Sequence, residues 1–284
     1  MFSIASLHLY PVKGFAGMDV SELVLDEQGP RFDREWMLVD AEGVFVTQRN
    51  VAAMALIRAT VDEAAGVLRL SAPDSESMDV DLAAAETGER RSVRVWFDDC
   101  EAFDQGDAVA SWISSRLSQS VRLVRKASDH TRPVVSLFTT VPASTRFADA
   151  LPLLIVSRAA LEELNGRVSM PLDMRRFRPN IVVDGCAAHA EDDWKRVRVH
   201  RADSDDVDLV FGKRCSRCQV TTIDPDTGEI DGNEPLKALA AYRTQEHDYG
   251  SGFVERGVFF GSNYVAAGPG TLSVGARLEV TEST

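Results

Sequence analysis

No stretch of this chain approaches the roughly 18 uninterrupted apolar residues that a membrane span needs. Runs of basic residues are also lacking. With 31 Lys and Arg against 44 Asp and Glu, the formal charge is -13. That balance leaves no electrostatic footprint for nucleic acid or an anionic membrane surface, and neither is expected as a partner. An anion site in such a chain has to be a local pocket. Cysteine is scarce: Cys100, Cys186, Cys215 and Cys218 are the four in 284 residues, too few for the disulfide framework of a small secreted protein. The first ten residues lack a basic n-region, and their apolar stretch is interrupted by Ser3, Ser6 and His8 before stopping at Pro11, which is not the pattern of a signal peptide. A cytoplasmic protein is expected. A composition of 44% hydrophobic and 26% charged residues excludes disorder and suffices for one large or two modest cores.

The first hundred residues read as short strands. Ser21 to Asp26, Glu35 to Asp40, Ala55 to Val61, Val67 to Ser71, Met78 to Leu82 and Ser92 to Phe97 carry alternating or continuous apolar runs. A turn at Ala41-Glu42-Gly43 followed by Val44 to Gln48 predicts a hairpin. A helix is predicted from Asp107, whose carboxylate suits a cap, with Val109, Trp112, Ile113 and Leu117 on one face. A second helix follows Ser157 to about Val168, and a third spans Glu234 to Arg243 with Pro235 in its first turn and Leu236, Leu239 and Ala240 as its stripe. Between and after them, strands are expected at Asn180 to Asp184, Arg196 to His200, Val207 to Phe211, Cys218 to Ile223, Gly257 to Gly261 and Ala276 to Thr281. The all-strand reading gives way to a mixed one near residue 120, which places a domain boundary there.

Cys215-Ser216-Arg217-Cys218 is the segment richest in chemistry. Lys213, Arg214 and Arg217 surround two thiols, and adjacent positive charge favours thiolates, which attack electrophiles or ligate soft metals. The β-branched residues that follow predict a strand, so a thioredoxin-type helix start is excluded; two isolated cysteines elsewhere do not complete a zinc site. Spacing alone leaves a structural pair and a functional pair equally open. Asp224 to Glu229, with Pro225 and Gly228, has the composition of a turn. In Phe177-Arg178-Pro179-Asn180, Arg178 reads either as a surface charge or, with Asn180, as a donor to an anionic ligand. Tyr10-Pro11-Val12-Lys13-Gly14 ends in a lysine and a flexible glycine, which suits approach to a phosphate.

These segments occur in one order with Asp33-Arg34-Glu35-Trp36, Phe147 to Leu153, Thr221 to Glu229 and Phe260-Gly261. The array resembles the MOSC family, named for the carboxy-terminal domain of molybdenum cofactor sulfurase, and within it the amidoxime-reducing components and bacterial reductases of N-hydroxylated compounds. The most specific element is Arg-Cys-x-Arg-Cys followed by Thr-Thr-x-Asp-Pro-x-Thr-Gly. The resemblance spans nearly the whole chain and implies an α+β, predominantly β fold: an N-terminal MOSC-associated β-barrel-like domain over residues 1–120, packed on a MOSC β-barrel domain with a few helices over residues 121–284. It implies a molybdenum–molybdopterin cofactor ligated through Cys218, its phosphate held by Lys13, with Gly14 beside it, and by Arg34, Arg178 and Asn180. Ser216 and Arg217 correspond to further cofactor contacts. Ala150 and Leu151 stand where mitochondrial members have Thr and Ser, so a contact there runs through the backbone, and Asn263 stands where they have Tyr. A family-level association with pyridoxal phosphate also comes with the resemblance.

The implied activity is reduction of N-hydroxylated or N-oxide small molecules, with Asp224, beyond the ligand in sequence, as candidate proton donor if it is desolvated. No Cys-x4-Cys-x2-Cys ferredoxin spacing is present, so electrons are expected from a separate ferredoxin- or flavoprotein-type partner. A non-catalytic carrier of the cofactor, or of persulfide sulfur on Cys218, is the alternative, and a metal-free β-barrel interaction protein the third reading. The five histidines are scattered and read as structural or surface residues, Trp36, Trp96, Trp112 and Trp194 as core or interface anchors, Cys100 and Cys186 as buried apolar thiols, and Asp203 to Asp208 as a solvated acidic loop.

Overall fold

The opening strand Phe2–Leu9 shows how the chain builds its centre. Ile4 and Leu7 are three residues apart yet both are buried, because a bulge between Ile4 and Ser6 resets the pleat. The computed structural model describes residues 2–283 apart from 74, 84–85, 202–204, 231 and 251. Phe2–Leu9 pairs with Ile181–Asp184 on one side and Arg277–Ser283 on the other. Arg277–Ser283 pairs with Trp194–Val199, which pairs with Val207–Ser216, which pairs with the long strand Val254–Ala266. Val254–Ala266 then meets Leu153–Ser157, whose parallel pairing with Ile181–Asp184 closes a seven-stranded barrel. One stave of this barrel is therefore supplied by the amino-terminal end of the chain.

The remainder of the first half forms smaller sheets around it. Trp36–Val39, Arg122–Lys126, Asp98–Asp104 and Arg90–Val95 make a four-stranded sheet, and Arg58–Asp62, Val67–Ser71 and Met78–Asp81 a three-stranded one. A single apolar cluster joins Trp36, Leu38, Met54, Ile113 and Leu123 from the first half to Leu153, Ile155, Ile181, Tyr264 and Leu278 from the second. The helix α1 (Asp107–Leu117) buries Val109, Ile113 and Leu117 in it; α2 (Arg158–Asn165) and α3 (Leu236–Arg243) cover the barrel with Leu164 and Leu239. No helix among the described residues is long and apolar enough to cross a membrane.

The α+β, mainly β class read from the sequence holds, with local corrections. Cys218 to Ile223 is no strand: Cys218 caps a short 3-10 turn over Gln219–Thr222. The hydroxyls of Thr221 and Thr222 donate back to the Cys218 and Gln219 carbonyls at 3.0 and 2.8 Å, so these side chains satisfy the turn locally instead of joining a ladder. Asp107 is inside the first turn of α1, behind Gly106 as N-cap, and its carboxylate accepts from Arg122 instead of capping. The expected hairpin at Ala41-Glu42-Gly43 is present but short: Phe45 bridges Val39 antiparallel, the Asp40 and Val46 N–H groups donate to the Val44 and Leu38 carbonyls, and the arm ends before Gln48. Within Ala55 to Val61 a 3-10 turn, Ala52–Leu56, precedes the strand Arg58–Asp62. Of the acidic stretch Asp203 to Asp208, residues 203 and 204 lie outside the described residues; Asp206 faces His200, and Asp208 pairs with Arg198 within a strand.

Gly261 in the barrel wall and Glu191 in the 3-10 turn Ala190–Asp192 beside it yield predictions. Gly261 has φ +74, and a Cβ there would lie 2.6 Å from Val156 Cγ2 and 2.8 Å from the Ile155 carbonyl oxygen. Gly261→Ala is expected to lower stability by about 2 kcal/mol or more, read as a shifted midpoint in chemical denaturation. Glu191 is fully buried, accepts one bond from the Ser157 N–H and leaves its second oxygen unpartnered. Burial pushes its pKa up to about 7. A carboxyl with a raised folded-state pKa stabilises below its unfolded value and loses that contribution as pH rises through the folded one. Stability is therefore expected to fall by roughly 1–3 kcal/mol between about pH 4.5 and 7, one unit being worth about 1.4 kcal/mol. Glu191→Gln should flatten that slope in melting curves taken at several pH values; an unchanged profile would exclude Glu191 as its source.

Candidate cofactor site

Residues at or beside the ends of several strands carry the chemistry. Asn180 immediately precedes Ile181–Asp184, Ala150 and Leu151 precede Leu153–Ser157, and Ser216 ends Val207–Ser216 just before Arg217 and Cys218. From the other half come Lys13 and Gly14, after the end of Phe2–Leu9, and Arg34, ahead of Trp36–Val39. They meet in one cavity of about 370 Å3, also lined by Phe45, Arg49, Trp96, Asp149, Lys213, Cys215 and Asn263. Every cofactor-binding residue expected from the sequence lines it, as does the expected metal ligand Cys218.

A polar knot fixes the deep end. Asp33 accepts from the Tyr10 backbone N–H at 3.0 Å, the Asn180 amide at 3.0 Å and Arg34 at 2.5 Å. Asn180, 1% exposed, accepts from Arg34 and the Leu154 N–H and donates to Asp33 and the His8 carbonyl. Both amide hydrogens of Asn180 are thus committed inside the protein, and the expected ligand donor is a residue that positions Arg34. Arg34 and Arg178 both have positive φ, 48° and 56°, and both place their guanidinium carbons 4.4 Å from the centre of the Tyr10 ring. Left-handed backbone at two non-glycine residues turns both side chains toward the same ring.

The cavity collects positive charge that the protein only partly balances. Six cations line it (Lys13, Arg34, Arg49, Arg178, Lys213 and Arg217) against one carboxylate, Asp149. Burial, with Arg34 alongside, lowers the Arg178 pKa to about 10. Burial likewise lowers Lys13, which Asp149 partly offsets. Burial pushes the Tyr10 phenol up to about 12. Asp149, its side chain 64% exposed, is held below the usual carboxylate range: the loss of bulk water inside the cavity would raise it, but Lys13, the Trp96 indole N–H and Arg49 outweigh that. Arg217 donates to Cys215 Sγ at 2.9 Å and to the Phe177 carbonyl at 2.6 Å, while its buried Nε has no partner. Repelled cations and an orphaned guanidinium N–H suit an anionic group with several acceptor oxygens. Cys218 Sγ lies open to the same space and receives a bond from Arg49 Nη2 at 3.2 Å. Among the described residues no three His, Cys, Asp or Glu side chains converge as a metal site would require. A soft metal at Cys218 therefore takes its other ligands from a cofactor, and the donor set fits a metal–pterin carrying a phosphate.

Other placements differ from expectation. Asp224 does not line the cavity: its carboxylate accepts the Asp226 and Thr227 N–H groups and pairs with Arg176 at 2.6 Å, while its neighbours Pro225 and Asp226 line a separate cleft. Arg214 points to the opposite face of its strand from Lys213, toward Asp192, Asp193 and Gln245, as pleat alternation demands. Ser216 donates to Glu255 at 2.6 Å. Sequence reasoning missed Arg49, Phe45 and Asp149 and read Trp96 as a packing anchor. Asp149 sat inside a recognised motif; the other three have no local signal, because only the tertiary fold brings them to the cavity that Cys218 lines.

Comparison with known proteins agrees with this geometry. Residues 1–120 match the profile of the MOSC N-terminal beta barrel domain and residues 142–279 that of the MOSC domain. The chain is 36% identical to mitochondrial amidoxime-reducing component 1 of Homo sapiens, over 96% of this chain and 81% of that protein. It is 31% identical to mitochondrial amidoxime reducing component 2 of Rattus norvegicus, with the same coverage of 96% and 81%. Against molybdenum cofactor sulfurase of Oryza sativa subsp. japonica it is 28% identical over 86% of this chain and 31% of that protein. The chain belongs to the MOSC family, alongside the mitochondrial amidoxime-reducing components.

Proposed function

We propose that this protein is a molybdenum-cofactor-dependent oxidoreductase that reduces N-hydroxylated or N-oxide small molecules with electrons from a separate ferredoxin- or flavoprotein-type donor. The observation that carries this reading is the convergence of Cys218 with cations from both halves of the chain in one cavity, in a chain similar to proteins named for amidoxime reduction. When bound, the cofactor supplies the two-electron chemistry that takes oxygen from the substrate and releases water.

The chain's own residues bind and orient. Cys218 Sγ ligates the metal. Lys13, Arg34 and Arg178 neutralise the phosphate, the guanidinium groups with paired N–H donors that a single ammonium lacks. Arg217 offers its unpartnered Nε–H. Ala150 and Leu151 contribute backbone, since neither side chain has a polar atom. Phe45 and Trp96, whose rings lie 4.9 Å apart, form an apolar wall that keeps water from one side of the cavity. Asp33 and Asn180 do not reach the cofactor and hold Arg34 instead. Asp224 is assigned no proton, because its carboxylate is bound to Arg176 away from the cavity. The division at residue 120 belongs to this reading: the first domain supplies Lys13 and Arg34, and the second Cys218, Arg178 and Arg217.

Two outcomes test it. Protein made in a host competent for molybdenum cofactor synthesis should carry molybdenum and pterin, and Cys218→Ser should lose nearly all the metal with an unchanged circular dichroism spectrum; retained molybdenum would remove Cys218 as ligand. Arg178→Met should weaken cofactor retention by about 10–100-fold, the worth of one charge-assisted hydrogen bond, read as pterin content after gel filtration. Turnover of an amidoxime with a chemical reductant favours the enzyme over a carrier; persulfide sulfur on molybdenum-free protein, without turnover, favours the carrier.

A further inference from the structure

Arg49 is the one side chain that donates a hydrogen bond to Cys218 Sγ among the described residues, and it comes from the opposite half of the molecule. Its position is over-determined. The turn beneath it is tied by the Asn50 and Val51 N–H groups to the Thr47 carbonyl and by the Arg49 N–H to Thr47 Oγ1. Gln48 donates across to the Gly14 carbonyl at 2.6 Å. The Arg49 carbonyl accepts from Gln219, the residue after the cysteine, at 3.2 Å. The guanidinium carbon lies 4.7 Å from the centre of the Trp96 ring, and that indole is held by its N–H on Asp149 at 3.0 Å, the carboxylate that also takes Lys13. Stacking on one face and the sulfur at one edge leave the guanidinium little freedom.

A rigid cation whose N–H points at a prospective ligand sulfur has a definite chemical consequence. A hydrogen bond to a metal-bound thiolate draws electron density from the sulfur and favours the more electron-rich, reduced metal; bonds of this kind are among the means by which proteins set redox potential. We propose that Arg49, clamped between Trp96 and Gln219, is a positioning residue that holds the Cys218 sulfur through an N–H···S bond and raises the reduction potential of the metal bound there. The inference rests on Cys218 being the metal ligand.

The test compares wild-type, Arg49→Met, Arg49→Lys and Cys218→Ser proteins, each made in a host competent for molybdenum cofactor synthesis. Metal and pterin contents are measured, and the molybdenum potential is followed by potentiometry with electron paramagnetic resonance. Arg49→Met is expected to keep molybdenum near the wild-type level and to show a lower potential and an altered resonance spectrum. Arg49→Lys keeps the charge but has no plane to stack on Trp96, and it should fall between the two. A wild-type potential in Arg49→Met overturns the proposal. So does a lowered potential in Arg49→Met with a wild-type value in Arg49→Lys, because charge alone would then account for the effect. If Arg49→Met does not load, the potential of Arg49→Lys decides: a wild-type value overturns the proposal and a lower one supports it. Molybdenum retained in Cys218→Ser would sink the ligand assignment itself, which is a different failure from an unmoved potential in a variant that binds metal normally.

Discussion

The arrangement of this molecule depends on keeping two guanidinium groups, Arg34 and Arg178, against one buried tyrosine ring. Like charges so close repel, and burial withholds the water that would screen them. The structure counters this with Asp33 and Asn180, which tie Arg34 to the ends of two barrel strands and to the Tyr10 backbone. Burial, with Arg34 alongside, lowers the Arg178 and Lys13 pKa values. A site in this condition is preorganised for a polyanion, whose arrival relieves repulsion that the fold maintains without it.

Closure of the barrel by Phe2–Leu9 explains why the two halves do not behave as separable modules around that site. The strand supplies a stave between Ile181–Asp184 and Arg277–Ser283, and the segment that follows it carries Tyr10 and Lys13. A continuous apolar cluster then locks the first-half sheets to the barrel. Residues far apart in sequence can thus be held at hydrogen-bond distance, as Arg49 is to Cys218 and Lys13 to the Phe147 carbonyl at 2.7 Å.

Errors of the sequence reading share a cause. Cys218 to Ile223 carries the β-branched residues of a strand, yet paired threonine hydroxyls fold it into a turn. Asp107 has the chemistry of a cap, but Arg122 competes for its carboxylate. Asp224 sits in a recognisable motif near the cysteine, and Arg176, brought in from elsewhere, takes its charge. In each case a partner distant in sequence, or a local side-chain bond invisible to periodicity, outweighed intrinsic preference.

By itself the sequence determined the class of the fold, the order of the motifs, the acidic charge balance and the set of cations and thiols available for an anionic cofactor. These follow from side-chain type and local period, which are properties of the chain. Tertiary structure decided which of those groups face one cavity, that Asn180 and Asp33 hold Arg34, that Arg214 turns away, and that Arg49 reaches the sulfur with Trp96 against it. Those are questions of direction and distance, and they are answered only once barrel closure has set the strands side by side.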